Sequence, residues 1–165
     1  MDMHKIASRG GDLVGQLAIA DLTLVHDHLA SRTGSVDYTL QPAYRRVNCT
    51  GGENNLLVIA IRLQAQVQLQ CQRTLEIYTQ AISAESTVAL VADDATAATL
   101  PSAYEPLVAD ARSLDMAALL SEELLLALPL VPTASHTEPV RETLTAAADA
   151  DNNAFAMLGD LLRKD

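Results

Sequence analysis

The residues best equipped for chemistry are few. Cys71-Gln72-Arg73-Thr74 follows a long alternating run and precedes another. A Cys-x-x-Cys at such a hairpin tip would supply half of a zinc knuckle. Here the second thiol position holds Thr74, which offers no thiolate. The other donors of suitable type, Cys49, His4, His26, His28 and His136, fall at spacings of no recognised zinc site. His26 and His28 are two apart and, on a helix, point to different sides. No metal or other cofactor is expected, and Cys71 reads as a small buried apolar residue. Arg73 is the more useful group, because a guanidinium at an exposed tip can bind phosphate or carboxylate in bidentate fashion. Its plainer role is a surface pair with Glu76. Adjacent Glu122 and Glu123 invite an acid/base reading, but consecutive helical residues do not converge, so they read as a solvated face. The chain has no Walker loop, Gly-rich dinucleotide turn, G-x-S-x-G elbow or H-E-x-x-H. A non-enzymatic protein is expected.

Charge narrows the choice of partner. The net charge is −10. Residues 1–75 carry seven basic and six acidic side chains, whereas residues 76–165 carry four and fifteen. A half that acidic repels phosphate and attracts a basic protein. Solubility alone is the competing explanation. One phenylalanine, four tyrosines and no tryptophan are poor equipment for stacking bases. Any limited RNA contact would fall to Arg45, Arg46, Arg62 and Arg73 in the neutral half. Two cysteines behind an N-terminus without a signal-like apolar stretch predict a reducing, cytoplasmic setting. No apolar run approaches the roughly 20 residues of a membrane span.

These residues must be positioned by a β-rich scaffold. From Leu57 to Cys71 every odd-numbered residue is apolar, and Arg62, Gln64, Gln66, Gln68 and Gln70 occupy even positions. Strand side chains alternate between faces, so one face is dry and the other wet. Fifteen residues at about 3.3 Å each would reach about 50 Å if straight. A domain of 165 residues is only about 40 Å across. The expected fold is therefore α+β: a strongly curved antiparallel sheet, open or closing toward a barrel, covered by a few helices.

Other elements follow from local signals. Residues 1–11 read as a loose start to a single 1–165 domain. A strand runs near Leu13–Ile19, and a helix follows with Asp21 or Thr23 as cap and Leu22, Val25 and Leu29 on one face. Val36, Tyr38 and Leu40 form a strand that Pro42 closes. Gly51–Asn55 is a turn, and a return strand runs through Leu75, Ile77 and Thr79, with Thr87–Val91 extending or following it. Residues 93–99 read as a loop. Asp115 caps a helix that Pro129 ends, with Met116, Leu119, Leu120, Leu124, Ala127 and Leu128 on its apolar face. Residues 133–151 read as an acidic Ala/Thr-rich linker to a terminal helix at 152–163, whose stripe Phe155, Leu158, Leu161 and Leu162 docks on the core.

Four blocks together resemble one family, the YceD family of large ribosomal RNA subunit accumulation proteins. They are Cys71-Gln72-Arg73-Thr74, Leu100-Pro101-Ser102-Ala103-Tyr104-Glu105-Pro106, Asp115 through Glu122-Glu123 to Leu128-Pro129-Leu130-Val131-Pro132, and Asn153-Ala154-Phe155-Ala156-Met157-Leu158. The resemblance covers roughly Leu57 to Leu162. Thr74 departs from the family's second hairpin cysteine. The resemblance implies a cytoplasmic, non-enzymatic factor supporting synthesis, processing or stability of large-subunit (23S) rRNA, with Cys71, Arg73, Pro106, Pro129, Pro132 and Phe155 at its motif positions. With the charge pattern, the expected partner is a basic ribosomal protein or a large-subunit precursor. The candidate contacts are Arg73, Tyr104, Glu105, Glu122 and Glu123. The alternative is a module whose curved sheet encloses a small apolar ligand, with the 115–128 helix as lid.

Overall fold

In the computed structural model, which describes residues 1–134, the alternating run grows into a 19-residue strand, β3, from Gly52 to Gln70. It lies centrally in a five-stranded sheet of order β1-β2-β3-β4-β5. The partners are β1 (Leu13–Ala18), β2 (Ser35–Cys49), β4 (Ile77–Val91) and β5 (Glu105–Val108). The first four strands form an antiparallel meander. β5 instead joins β4 in parallel, so the sheet is mixed rather than antiparallel throughout. It is also open: β1 and β5 are its edges, and no barrel closes. The α+β class stands.

The two faces differ as the alternation requires. Leu57, Ile59, Ile61, Leu63, Val67 and Leu69 of β3 are buried on the inner face with Val36 and Leu40 of β2 and Ile82 and Val88 of β4. Each such side chain stabilises the fold by about 1.5–3 kcal/mol through removal from water. Gly15 lies opposite Tyr38, and a Cβ there would stand 2.5 Å from the tyrosine hydroxyl, so a larger residue requires that ring to shift. On the outer face Arg62, Gln64, Gln66, Gln68 and Gln70 are exposed. Among the described residues one end of that face is covered, where Leu100 and Tyr104 pack on Val47, Cys49, Val58 and Ala89.

Several local expectations are corrected. Residues 1–11 are not loose: Met3–Arg9 form a helix, α1, capped by the Asp2 carboxylate and ended by left-handed Gly10. Met3 anchors it with no exposure at all, and the Met3 N–H donates to the Ala111 carbonyl. The segment after β1 forms two 3-10 turns, Ile19–Asp21 and Thr23–His28, which neither Asp21 nor Thr23 caps. The three-residue period still buries Leu22 and Val25. Pro42 does not close β2, since β1 ends opposite Leu40 and leaves no partner on that side for Pro42's missing N–H. The turn after β2 is tighter than expected, at Thr50-Gly51, and Gly52–Asn55 already belong to β3. Residues 94–97 form a short helix, α2, capped by Asp93.

The helix from Met116 to Ala127, α3, is capped by Asp115 as the sequence requires. Leu119, Leu120 and Leu124 are buried in the core. The helix is part of the packed interior and no lid. Apart from Thr133 and Ala134, the linker and the terminal helix with Phe155 lie outside the described residues.

Candidate functional site

The residues singled out by sequence gather at two corners. The first is the tip of the β3–β4 hairpin. The Cys71 N–H donates to the Glu76 carbonyl at 2.9 Å, and the Leu75 N–H donates to the Cys71 carbonyl at 2.8 Å. Leu75 takes φ +61°, a left-handed conformation unusual for a leucine, and stands 65% exposed. The tight turn leaves Arg73 exposed. The stretch after α3 returns to this tip, and the Gln72 N–H donates to the Pro132 carbonyl at 2.9 Å. Two motifs sixty residues apart in sequence, Cys71–Thr74 and Pro129–Pro132, therefore meet in space.

Cys71 is buried as expected, but its surroundings are not apolar. The Thr74 hydroxyl and the backbone N–H groups of Ala134, Thr74 and Arg73 surround its sulfur. Those hydrogen bonds hold the thiol down to about 6. Burial and the charge of Cys71 push the Tyr78 phenol up. Thr74, unable to supply a thiolate, thus serves the remaining sulfur as a donor. Among the described residues no three His, Cys, Asp or Glu side chains come together as a cation would need.

The second corner is acidic, and lies where β4, β5 and α3 meet. Glu105 opens β5 beside Val88. Glu122 is exposed on α3. Glu123 does not face solvent: it is 6% exposed, and Ser86 Oγ donates to its Oε2 at 2.7 Å. Burial pushes the Glu123 carboxyl up, the Ser86 bond opposes this, and the charges of Glu105 and Glu122 add to the rise. Ser121 is buried too, its hydroxyl donating to the Ala117 carbonyl at 2.6 Å. A face assignment from helical spacing puts Glu123 in water and fails because α3 is packed on more than one side. Tyr104 and Glu105, adjacent in sequence, part company. Tyr104 packs toward the outer-face cluster, while Glu105 lines the side that carries Glu123. Glu105 and Pro106 begin β5.

The two corners are well apart. From Ile77 to Val88 is eleven residues of β4, about 36 Å of strand. The arginines are dispersed as well. Arg62 is opposite Thr39 and Arg45 opposite Leu56, about 20 Å along the same ladder. Arg45 and Arg46, being consecutive, point to opposite faces. Arg62 already pairs with Glu85 at 3.2 Å across the outer face. They form no single basic patch. Shallow surface concavities of about 440–620 Å³ include one lined by His4, Tyr44, Leu56 and Leu90 among others. The His4 Nδ1 and the Tyr44 hydroxyl hydrogen-bond at 2.6 Å beside it.

Comparison with known proteins matches residues 59–162 to a family described as large ribosomal RNA subunit accumulation protein YceD. The chain is also similar to the large ribosomal RNA subunit accumulation protein YceD of Haemophilus influenzae. The two are 33% identical over 172 residues, covering 99% of this chain and 95% of that one. No solved structure matches.

Proposed function

The chain belongs to the YceD family, and we propose that it supports accumulation of large-subunit ribosomal RNA as a non-enzymatic binding factor. In this reading it holds a basic ribosomal protein, free or on a large-subunit precursor, through its acidic corner. The observation that carries the reading is the one-sided charge of the second half of the described chain. Residues 76–134 bear nine carboxylates and a single base, Arg112. Glu105 and Glu122 stand exposed within that stretch, on neighbouring elements. Such a surface draws in cationic protein at long range and repels bare phosphate. Dispersal of Arg45, Arg46, Arg62 and Arg73 argues against an extended RNA track. Arg73, exposed at the opposite corner, is placed to touch a phosphate or carboxylate of the same particle.

The family and the two free cysteines support a cytoplasmic site of action. No helix among the described residues is long and apolar enough to cross a membrane.

Pull-down of the tagged full chain from lysate, with and without nuclease and at low and raised salt, tests the proposal. We expect large-subunit ribosomal proteins to be recovered after nuclease treatment and lost at raised salt. The double variant Glu105→Gln, Glu122→Gln should recover less of them at every salt concentration. Recovery that disappears with nuclease would move the contact to RNA, and absence of ribosomal components under all conditions would overturn the assignment.

A further inference from the structure

Among the described residues, every stretch of strand edge without a strand neighbour is short or blunted except one, and β3 is bare over only five residues at each end, 52–56 toward β4 and 66–70 toward β2. β1 is six residues long and β5 four, the latter containing Pro106. β2 beyond Leu40 carries Pro42, Arg45 and Arg46. Proline and charge are the usual means of keeping an edge from pairing with another chain. The remaining stretch, on β4, has no proline and a single charge. Residues 77–87 of β4 read Ile-Tyr-Thr-Gln-Ala-Ile-Ser-Ala-Glu-Ser-Thr, with one charge, Glu85, and that one paired with Arg62. β5 reaches only Val88–Val91, so among the described residues no strand lies beside 77–87.

The register shows which groups face outward. The β3–β4 ladder keeps one register from Gln70 opposite Ile77 to Leu57 opposite Leu90. The Cys71 N–H to Glu76 carbonyl bond at its mouth marks a hydrogen-bonded pair. Such pairs recur at every second residue, so even-numbered residues of β4 turn their N–H and C=O toward β3. Odd-numbered residues, Thr79, Ala81 and Ser83 among them, turn theirs to the open side. One outward carbonyl has already recruited a donor: Gln80 Nε2 donates to the Ala81 carbonyl at 3.1 Å.

We infer that residues 77–87 of β4 are a strand-addition site, on which an extended, basic segment of a partner protein pairs as a further strand. Charge selects the occupant. Glu76 precedes the edge, Glu105 stands at its far end and Glu122 stands on the helix packed beside β4, while Glu85 within the edge is offset by its pair with Arg62. The nearby bases are Arg62, which is paired, and Arg73 at the hairpin tip. Main-chain hydrogen bonds would supply affinity, and alternate lysines or arginines of the added strand would meet the carboxylates. The inference rests on the proposed basic protein partner and specifies how it is held.

The test uses the full-length chain and a labelled peptide of five Lys-Val repeats, with the same peptide N-methylated at every residue as control. In the free protein the Thr79, Ala81 and Ser83 amides should exchange with solvent faster than those of Tyr78, Gln80 and Ile82. The unmodified peptide should slow them. N-methylation of the peptide should weaken binding by about tenfold or more, a loss of about 1.4 kcal/mol. Ser83→Pro should do the same, because it removes an outward N–H and no ladder bond; N-methylation keeps the test decisive if that variant folds poorly. Equal binding of the two peptides would overturn strand addition while leaving side-chain attraction to the acidic corner intact. Odd-numbered amides already protected in the free protein would overturn it too, with dilution separating a second copy from cover by the same chain. Failure of the unmodified peptide to bind would also overturn it; the ribosomal pull-down then judges the parent proposal separately.

Discussion

Cys71 has no solvent exposure, yet its sulfur is ringed by hydrogen-bond donors. Its thiol, held at about 6, ionises far more readily than in an unfolded chain, where the ordinary value is 9.0. Between these values the unfolded state binds more protons than the folded one, so this group's contribution to stability rises with pH. It is fully present above about 9 and gone as pH falls through about 6. Urea unfolding at pH 6, 7.5 and 9 should therefore show a gap between wild type and Cys71→Ala that widens with pH. A gap independent of pH would mean that Cys71 contributes packing alone. The sequence marks Cys71 by its place at the end of the alternating run and pairs it with Thr74 by the Cys-x-x-Cys spacing, but no spacing rule connects it to the Ala134 donor. Glu123 is the converse case. Its pairing with Ser86 depends on α3 crossing β4, so a face assignment from helical spacing put it in water.

At the scale of elements, α3 is the part whose start is written most plainly. The Asp115 carboxylate accepts from the Ala117 and Ala118 N–H groups at 2.9 and 3.2 Å, satisfying two donors that a helix leaves orphaned. Asp115→Ala should cost about 1 kcal/mol. That corresponds to a drop of about 2–4 °C in the thermal midpoint for a chain of this size. Asp115→Asn should recover most of the loss, since Asn is as good a cap. The stretch after α3 is bound at the hairpin tip through Pro132. The short elements were less legible. α1 depends on burial of Met3 against residues distant in sequence, and the 3-10 turns between β1 and β2 fit Ala30 to the end of β3, whose Gln68 carbonyl accepts from its N–H.

Across the whole molecule the two corners are separated by about 36 Å of β4, and they share no side chain. Arg73→Ala and the Glu105→Gln, Glu122→Gln pair should therefore act independently on a recovered ribosomal partner. Their effects on binding free energy should add to within about 0.5 kcal/mol. A larger coupling, measured by a double-mutant cycle, would mean that both corners grip one element of the partner. Sequence alone determined the central strand, its dry and wet faces, the capped helix, the charge asymmetry and the family, because each is written in periodicity, composition or local motif. Only the tertiary structure decided that the sheet stays open, that β5 pairs in parallel and that the Cys71 and Pro132 motifs meet. It also decided that Glu123 is buried and that β4 keeps a long unblunted edge. Those features arise from contacts between residues far apart in the chain, where packing and hydrogen-bond satisfaction override what neighbours in sequence prefer.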